Sequence, residues 1–228
     1  MHTTVGDVMT AKVFSVPATA GFREMVELIE THHISALPVV DDDDHVLGVV
    51  SEADLLLKEE QNELSVPHLV ETRKQRAERV KATGATAREV MTSPAITIGP
   101  QAPVRTAARL MRERGVKRLP VVSWTGMLVG IVTRGDVLKV FLRDDEQIRH
   151  EILDYVIGGL LLLERQAVTV EVVDGVVTLQ GHVDRMADAR MLPGLCRAVD
   201  GVVAVNSHLM YRFKDDGVRE QPGVVSAP

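Results

Sequence analysis

The sequence predicts an α+β protein: two tandem strand–helix–strand–strand–helix units packed as a pair, followed by a small helix–strand–strand–helix–strand domain. Three observations predict it. Four sequence blocks recur at one constant spacing, apolar periodicity alternates between helix and strand in the same order in both copies, and a different pattern begins beyond Phe141.

The repeat has a shift of 82 residues. Asp7-Val8-Met9-Thr10 recurs as Glu89-Val90-Met91-Thr92, and Leu37-Pro38-Val39-Val40 as Leu119-Pro120-Val121-Val122. Gly48-Val49-Val50-Ser51 recurs as Gly130-Ile131-Val132-Thr133, and Asp54 as Asp136. One shift serves all four blocks, so neither copy carries an insertion between them. Phe22, Met25, Val26 and Ile29 fall at helical spacing, as do Val104, Ala107, Ala108 and Met111. A strand-length apolar run follows, Ala36 to Val40 or Leu119 to Val122. Then comes a turn, Asp41 to Asp44 or Ser123 to Gly126, and a second strand, Val46 to Val50 or Met127 to Val132. A helix opens at Ser51 or Thr133. The repeats therefore span residues 1–58 and 87–142.

Between them, residues 59–86 are rich in Glu, Lys, Arg and Gln, broken by Pro67, and read as a charged, partly helical linker. Its basic run, Arg73, Lys74, Arg76, Arg79 and Lys81, suits a solvated helix face better than a contact for an acidic partner. In the last domain, residues 146–213, Ile148, Ile152, Val156 and Leu160 form one helical stripe. Val168, Val170 and Val172 alternate as a strand, Asp174-Gly175 signals a hairpin, and Val177 and Leu179 resume the alternation. A short helix around Ala187 to Leu195 and a strand from Val202 to Leu209 complete it. The tail, 214–228, combines Gly, Pro and charges and is expected to be disordered.

Composition narrows the function. The chain of 228 residues is 45% apolar and 25% charged, ordinary for a chain with a packed core. Only 3% of residues are aromatic and the formal charge is −6, which argues against a nucleic-acid stacking platform and against general attraction to phosphate backbones. The single cysteine, Cys196, permits neither an intramolecular disulfide nor a cysteine zinc cluster, and its apolar surroundings suit a buried packing thiol. The start of the chain lacks a basic region followed by an apolar run, so no signal peptide is expected. The most apolar stretch, Tyr155 to Leu163, is far shorter than the ~20 residues of a spanning helix. A cytoplasmic protein is expected.

The repeated unit resembles the CBS domain, and the tandem pair a Bateman module. The match is carried by DVMT/EVMT, ISALPVV/VKRLPVV and LGVVSEADLL/VGIVTRGDVL over about residues 1–142. The last domain resembles a BON domain through VEVVDGVVTLQGHVD and VDGVVAVNSHL.

Ser51 and Asp54, like Thr133 and Asp136, place a hydroxyl three residues before a carboxylate at a helix start. That spacing serves a helix cap. It also serves a nucleotide, the carboxylate accepting ribose hydroxyls while the hydroxyl and free N–H groups meet phosphate. Spacing alone favours the cap; the resemblance favours the nucleotide, and the two are compatible. The resemblance further implies composite pockets. Ser51 and Asp54 would face Ile98, Val116, Lys117, Arg118 and Pro120. Thr133, Arg134 and Asp136 would face Val16, Ile34, Ser35 and Pro38. Lys117 and Arg118 correspond to Ser35 and Ala36, so the Asp54 site is the more cationic and is expected to suit a phosphate-rich ligand. His33 stands where the second copy has Gly115, at the mouth of the Asp136 site or pointing to solvent.

The resemblance implies a non-enzymatic regulatory sensor of an adenine nucleotide or adenosyl compound: AMP, ADP, ATP (with Mg²⁺ able to accompany it) or S-adenosylmethionine. No P-loop, nucleophile elbow or HExxH motif is present, and no catalytic or metal-ligating residues are assigned. Asp41 to Asp44 suits a solvated turn better than a cation site, and adjacent His32 and His33 diverge on a helix. A homodimer through the CBS helices, with Met25 and Met111 on its face, is implied as well. The BON domain would contact a protein or phospholipid, although the run from Ile157 to Leu163 suits a core better than lipid. Two other functions are open: a CBS pair that only dimerises while the BON domain binds membrane or protein, and an enzyme acting on a nucleotide.

Overall fold

The computed structural model describes residues 3–60, 84–163, 167–213 and 219–227. The basic run at 73–81 lies outside them. The chain divides into two compact units, Thr4–Arg134 and Gly135–Pro228, the latter with the first three residues.

In the first unit the copies fold alike. The first holds α1 (Val5–Val8), β1 (Val16–Pro17), α2 (Phe22–His32), β2 (Ala36–Val40), β3 (Val46–Ser51) and α3 (Glu52–Glu60). The second holds α4 (Ala87–Val90), α5 (Val104–Arg114), β4 (Arg118–Val122), β5 (Leu128–Thr133) and the start of α6 (Arg134–Leu138). β2 and β3 pair antiparallel with Ala36 opposite Ser51, and β4 and β5 with Arg118 opposite Thr133, the same register shifted by 82. Each hairpin gains a parallel edge: β1 sets Val16 against Val39, and Ile98 bridges to Val121.

The leaders of the two copies are exchanged. Backbone N–H groups of Val5 and Gly6 donate to Ala102 and Pro100 oxygens, and Thr10 bridges to Ile131 of β5. Reciprocally, Ala87 and Arg88 donate to Ala20 and Ala18, and Thr92 bridges to Val49 of β3. Ala87 and Val90 thus complete the core of the first copy, with Met25, Ile29, Leu37, Val39 and Val50.

This exchange explains two of the repeated motifs. A Cβ at Gly48 would lie 2.6 Å from the Met91 sulfur and 2.9 Å from the Thr92 oxygen. One at Gly130 would meet the Met9 sulfur and, at 3.1 Å, the Thr10 oxygen. Each strand glycine receives the methionine of the other copy's leader. The acid that opens each leader motif caps its helix: Asp7 accepts from the Thr4 backbone (2.8 Å) and hydroxyl (2.7 Å), and Glu89 from the Thr86 backbone (3.0 Å) and hydroxyl (3.1 Å).

Met25 and Met111 are fully buried against their own strands, which corrects their expected place on a dimer face. Their helical stripe already faces the sheet, and it cannot serve two partners.

The second unit contains a short 3₁₀ turn (Lys139–Leu142), α7 (Asp145–Glu151) continuing with π-type turns to Leu160, β6 (Val168–Val173), β7 (Val176–Arg185), α8 (Met186–Arg197), β8 (Ala204–Phe213) and β9 (Arg219–Ala227). Strand order is β6-β7-β8-β9, antiparallel, parallel, antiparallel. Asp174 and Gly175, both at positive φ, make the hairpin turn, and the Asp145 carboxylate accepts both of their N–H groups at 2.8 Å. Ile148, Ile152, Val156 and Ile157 pack on the inward valines, on Leu179 and Leu209, and on Leu192 and Cys196 of α8. Burial pushes the Cys196 thiol up to about 12.

Two expectations change here. The tail is not wholly irregular: β9 pairs with β8, Leu209 opposite Val225. Without it β8 would present an open row of N–H and C=O groups, and a valine-bearing segment is suited to fill that edge. The leucine run is divided: Leu161 and Leu163 pack on the core, whereas Leu160 and Leu162 are exposed, Leu162 at a positive φ of 52°.

Among the described residues no helix is long and apolar enough to cross a membrane.

Candidate functional site: a cavity between the repeats

The two hairpins carry equivalent residues toward each other at the ends where α3 and α6 begin. The Glu52 N–H donates to the Ser35 oxygen (3.2 Å), and its counterpart, the Arg134 N–H, donates to the Lys117 oxygen (3.1 Å). The start of each helix is thereby tied to the residues before its own hairpin.

A cavity of about 230 Å³ opens there, lined by Ser35, Ala36, Ser51, Glu52 and Ala53 of the first copy and Gly115, Val116, Lys117 and Arg118 of the second. Both repeats contribute, as a composite site requires. Of the set expected around Asp54, the cavity joins Ser51, Val116, Lys117 and Arg118. Asp54, Ile98 and Pro120 are not among its lining residues.

Asp54 is held as a cap. Its Oδ2 accepts from the Ser51 N–H (2.9 Å) and hydroxyl (2.7 Å), and its Oδ1 from the Thr92 hydroxyl (3.3 Å). The carboxylate is thus oriented by the leader of the other copy. Ile98 and Pro120 are joined through the backbone, Ile98 N–H to Pro120 oxygen at 3.1 Å, and form the strand layer of the second copy.

Arg118 is half-buried, and its guanidinium donates to the Ser35 hydroxyl across the repeat boundary. Burial draws its pKa down while the nearby Glu52 carboxylate opposes that shift. Sequence reasoning does not single out Glu52, Gly115, Ala36 and Ala53 as lining residues, and it expects Ser35 in the other set. The 82-residue shift held the signal for Glu52, since its counterpart is Arg134.

The second set is placed residue by residue. Val16 and Pro38 are buried in the strand layer, and Ile34 is half-buried. Thr133 ends β5, and the Arg134 guanidinium donates to the Val116 oxygen at 3.1 Å. Asp136 is buried and ion-paired with Lys139 at 2.7 Å. His33 is exposed at the end of α2 with φ 50°, and Gly115 ends α5 with φ 68°, so the imidazole occupies a position that favours glycine.

The Asp41 to Asp44 segment is a hairpin tip. The Asp41 carboxylate accepts N–H groups of Asp43 (3.0 Å) and His45 (2.8 Å), an Asx turn. Among the described residues no cluster of three potential metal ligands occurs.

Comparison with known proteins places this architecture. The chain is 33% identical over 152 residues to the chloroplastic CBS domain-containing protein CBSX2 of Arabidopsis thaliana, covering 61% of this chain and 64% of that one. It is 31% identical over 136 residues to the uncharacterized protein MK0525 of Methanopyrus kandleri, covering 60% and 61%. The chain therefore spans under two thirds of the length of these two relatives. The crystal structure of CBSX2 in complex with AMP superposes with a TM-score of 0.54 at 32% identity, covering 61% of this chain and 96% of that one. The CBS domain model matches residues 5–59 and 87–143, and the BON domain model residues 144–212. Both are characteristically regulatory rather than catalytic modules. With its exchanged leaders, shared register and two-sided cavity, the chain belongs to the CBS domain family, as a tandem CBS pair joined to a BON domain.

Proposed function

We propose that this protein is a regulatory sensor whose CBS pair takes an adenine nucleotide or adenosyl compound in the cavity between its repeats. One observation carries it: Ser51 from one copy and Lys117 and Arg118 from the other line a single cavity. The AMP complex of a CBS protein 32% identical to this chain supports the ligand class. At about 230 Å³ the cavity is smaller than the usual range of ~300–1,000 Å³ for small-molecule sites, so it suits the polar, sugar-phosphate end of the ligand. Lys117 and Arg118 would meet phosphate, and Asp54 would accept ribose hydroxyls in exchange for its present cap bonds.

The BON domain would carry the signal to a protein or lipid partner. Homodimerisation through the CBS helices remains part of the proposal, with a face that excludes Met25 and Met111; Leu56, 62% exposed beside Phe22 and Val26, is available to it.

The test is thermal unfolding of the full chain with AMP, ADP, ATP, S-adenosylmethionine and adenosine. A ligand at 100 times its dissociation constant should add about 2.7 kcal/mol. No rise in Tm with any of them at millimolar concentration would overturn the sensor function in favour of a scaffold.

A further inference from the structure

The lining of the cavity holds three charged side chains: the cations Lys117 and Arg118 and the carboxylate of Glu52. Its formal charge is one positive, not the two that the cationic pair alone supplies. Glu52 is the first residue of α3, with Asp54 in the same turn. The end of a nine-residue helix that would otherwise favour an anion already carries two carboxylates. At the counterpart position the second copy carries Arg134, so the acid is a property of this face alone. Arg118 spans the boundary to the Ser35 hydroxyl, its guanidinium within electrostatic reach of Glu52.

We infer that Glu52 is a specificity residue that limits how much negative charge the cavity accepts, favouring a nucleoside or nucleoside monophosphate over a nucleoside polyphosphate. The inference rests on the nucleotide-binding function proposed above. Lys117 and Arg118 suffice to neutralise one phosphate. Each further phosphate brings negative charge toward the Glu52 carboxylate without a matching cation among the lining residues. Glu52 is exposed, so its repulsion is moderate and falls with salt. The same exposure lets it be replaced without disturbing the core.

The experiment is titration calorimetry of the full chain at low ionic strength with adenosine, AMP and ATP, comparing the natural protein with Glu52→Gln and Glu52→Arg. Glu52→Gln should tighten ATP roughly threefold to tenfold while leaving adenosine nearly unchanged, and Glu52→Arg should exceed it. The gain should shrink as salt rises. If adenosine, AMP and ATP all shift equally, or none shifts, Glu52 is not the charge filter although the site binds nucleotide. If neither the natural protein nor Glu52→Gln binds any of the three, the nucleotide function itself is overturned, and the filter with it.

Discussion

The two CBS repeats have nearly the same fold and different site chemistry. Leu37 and Leu119 are both fully buried, the hairpin registers coincide after the shift, and Gly48 and Gly130 each receive a methionine from the opposite leader. Yet Ser35, Ala36 and Glu52 stand where the second copy has Lys117, Arg118 and Arg134. Packing tolerates little change in shape, so the core positions stay alike. Most residues at the cleft are exposed or half-buried, and they are free to diverge in charge. The pair is symmetric where it folds and asymmetric where it would bind.

The strongest way to break the symmetric half is to fill its glycines. Gly48→Val would force a branched side chain into the Met91 sulfur and the Thr92 backbone, and Gly130→Val into Met9 and Thr10. Each is expected to cost about 1–3 kcal/mol in chemical denaturation. Gly21→Ala, where no atom lies within 4 Å of the added carbon, should cost far less. Equal costs at all three positions would show that leader exchange does not constrain the strands.

The asymmetric half is tested by the two acids. Asp54→Ala should weaken nucleotide binding on the order of tenfold to a hundredfold, as hydrogen bonds to charged groups contribute about 1.5–3 kcal/mol. Asp136→Ala should leave the tighter event intact, since Asp136 is buried and held by Lys139. Calorimetry giving the reverse order would move the site to the other face.

A finer version separates phosphate from sugar. Arg118→Ala should lower affinity for AMP about tenfold more than affinity for adenosine, because only AMP presents the group that the guanidinium meets. Equal losses for both ligands would mean that Arg118 acts through the Ser35 contact on cavity shape alone.

The smallest effect concerns the caps. The Thr4 hydroxyl and backbone N–H hold the Asp7 carboxyl below its ordinary value. A depressed folded-state pKa contributes stability that is present above the unfolded value and lost as pH falls through the folded one. Asp7→Asn should therefore flatten the acid limb of the stability profile slightly and leave its neutral region nearly level. An unchanged acid limb would show that this cap does not couple to folding.

Much of the fold was legible because period and repetition are local properties of a chain. Helical spacing at Met25 and Ile29, alternation at Val168 to Val172, and the Asp174-Gly175 turn each depend on residues within a few positions. The hydroxyl–carboxylate pairs were legible for the same reason, whereas a composite pocket was implied by the resemblance to CBS pairs and not by the repeat itself. The burial of Met25 and Met111 was harder to read, since an apolar helical stripe identifies a contact face without saying what covers it. The pairing of residues 219–227 with β8 was not legible, because strand pairing depends on an open edge elsewhere in the fold.

By itself, then, the sequence determined two copies of one unit, a third domain of different period, and hydroxyl–carboxylate pairs at the helix starts. The tertiary structure alone decided that the leaders cross over, that Asp54 is oriented by Thr92 from the other copy, and that Glu52 shares a cavity with Arg118. The physical reason is distance along the chain. Local periodicity reports which face of an element is buried, whereas the partners of that face are set by packing among residues tens of positions apart.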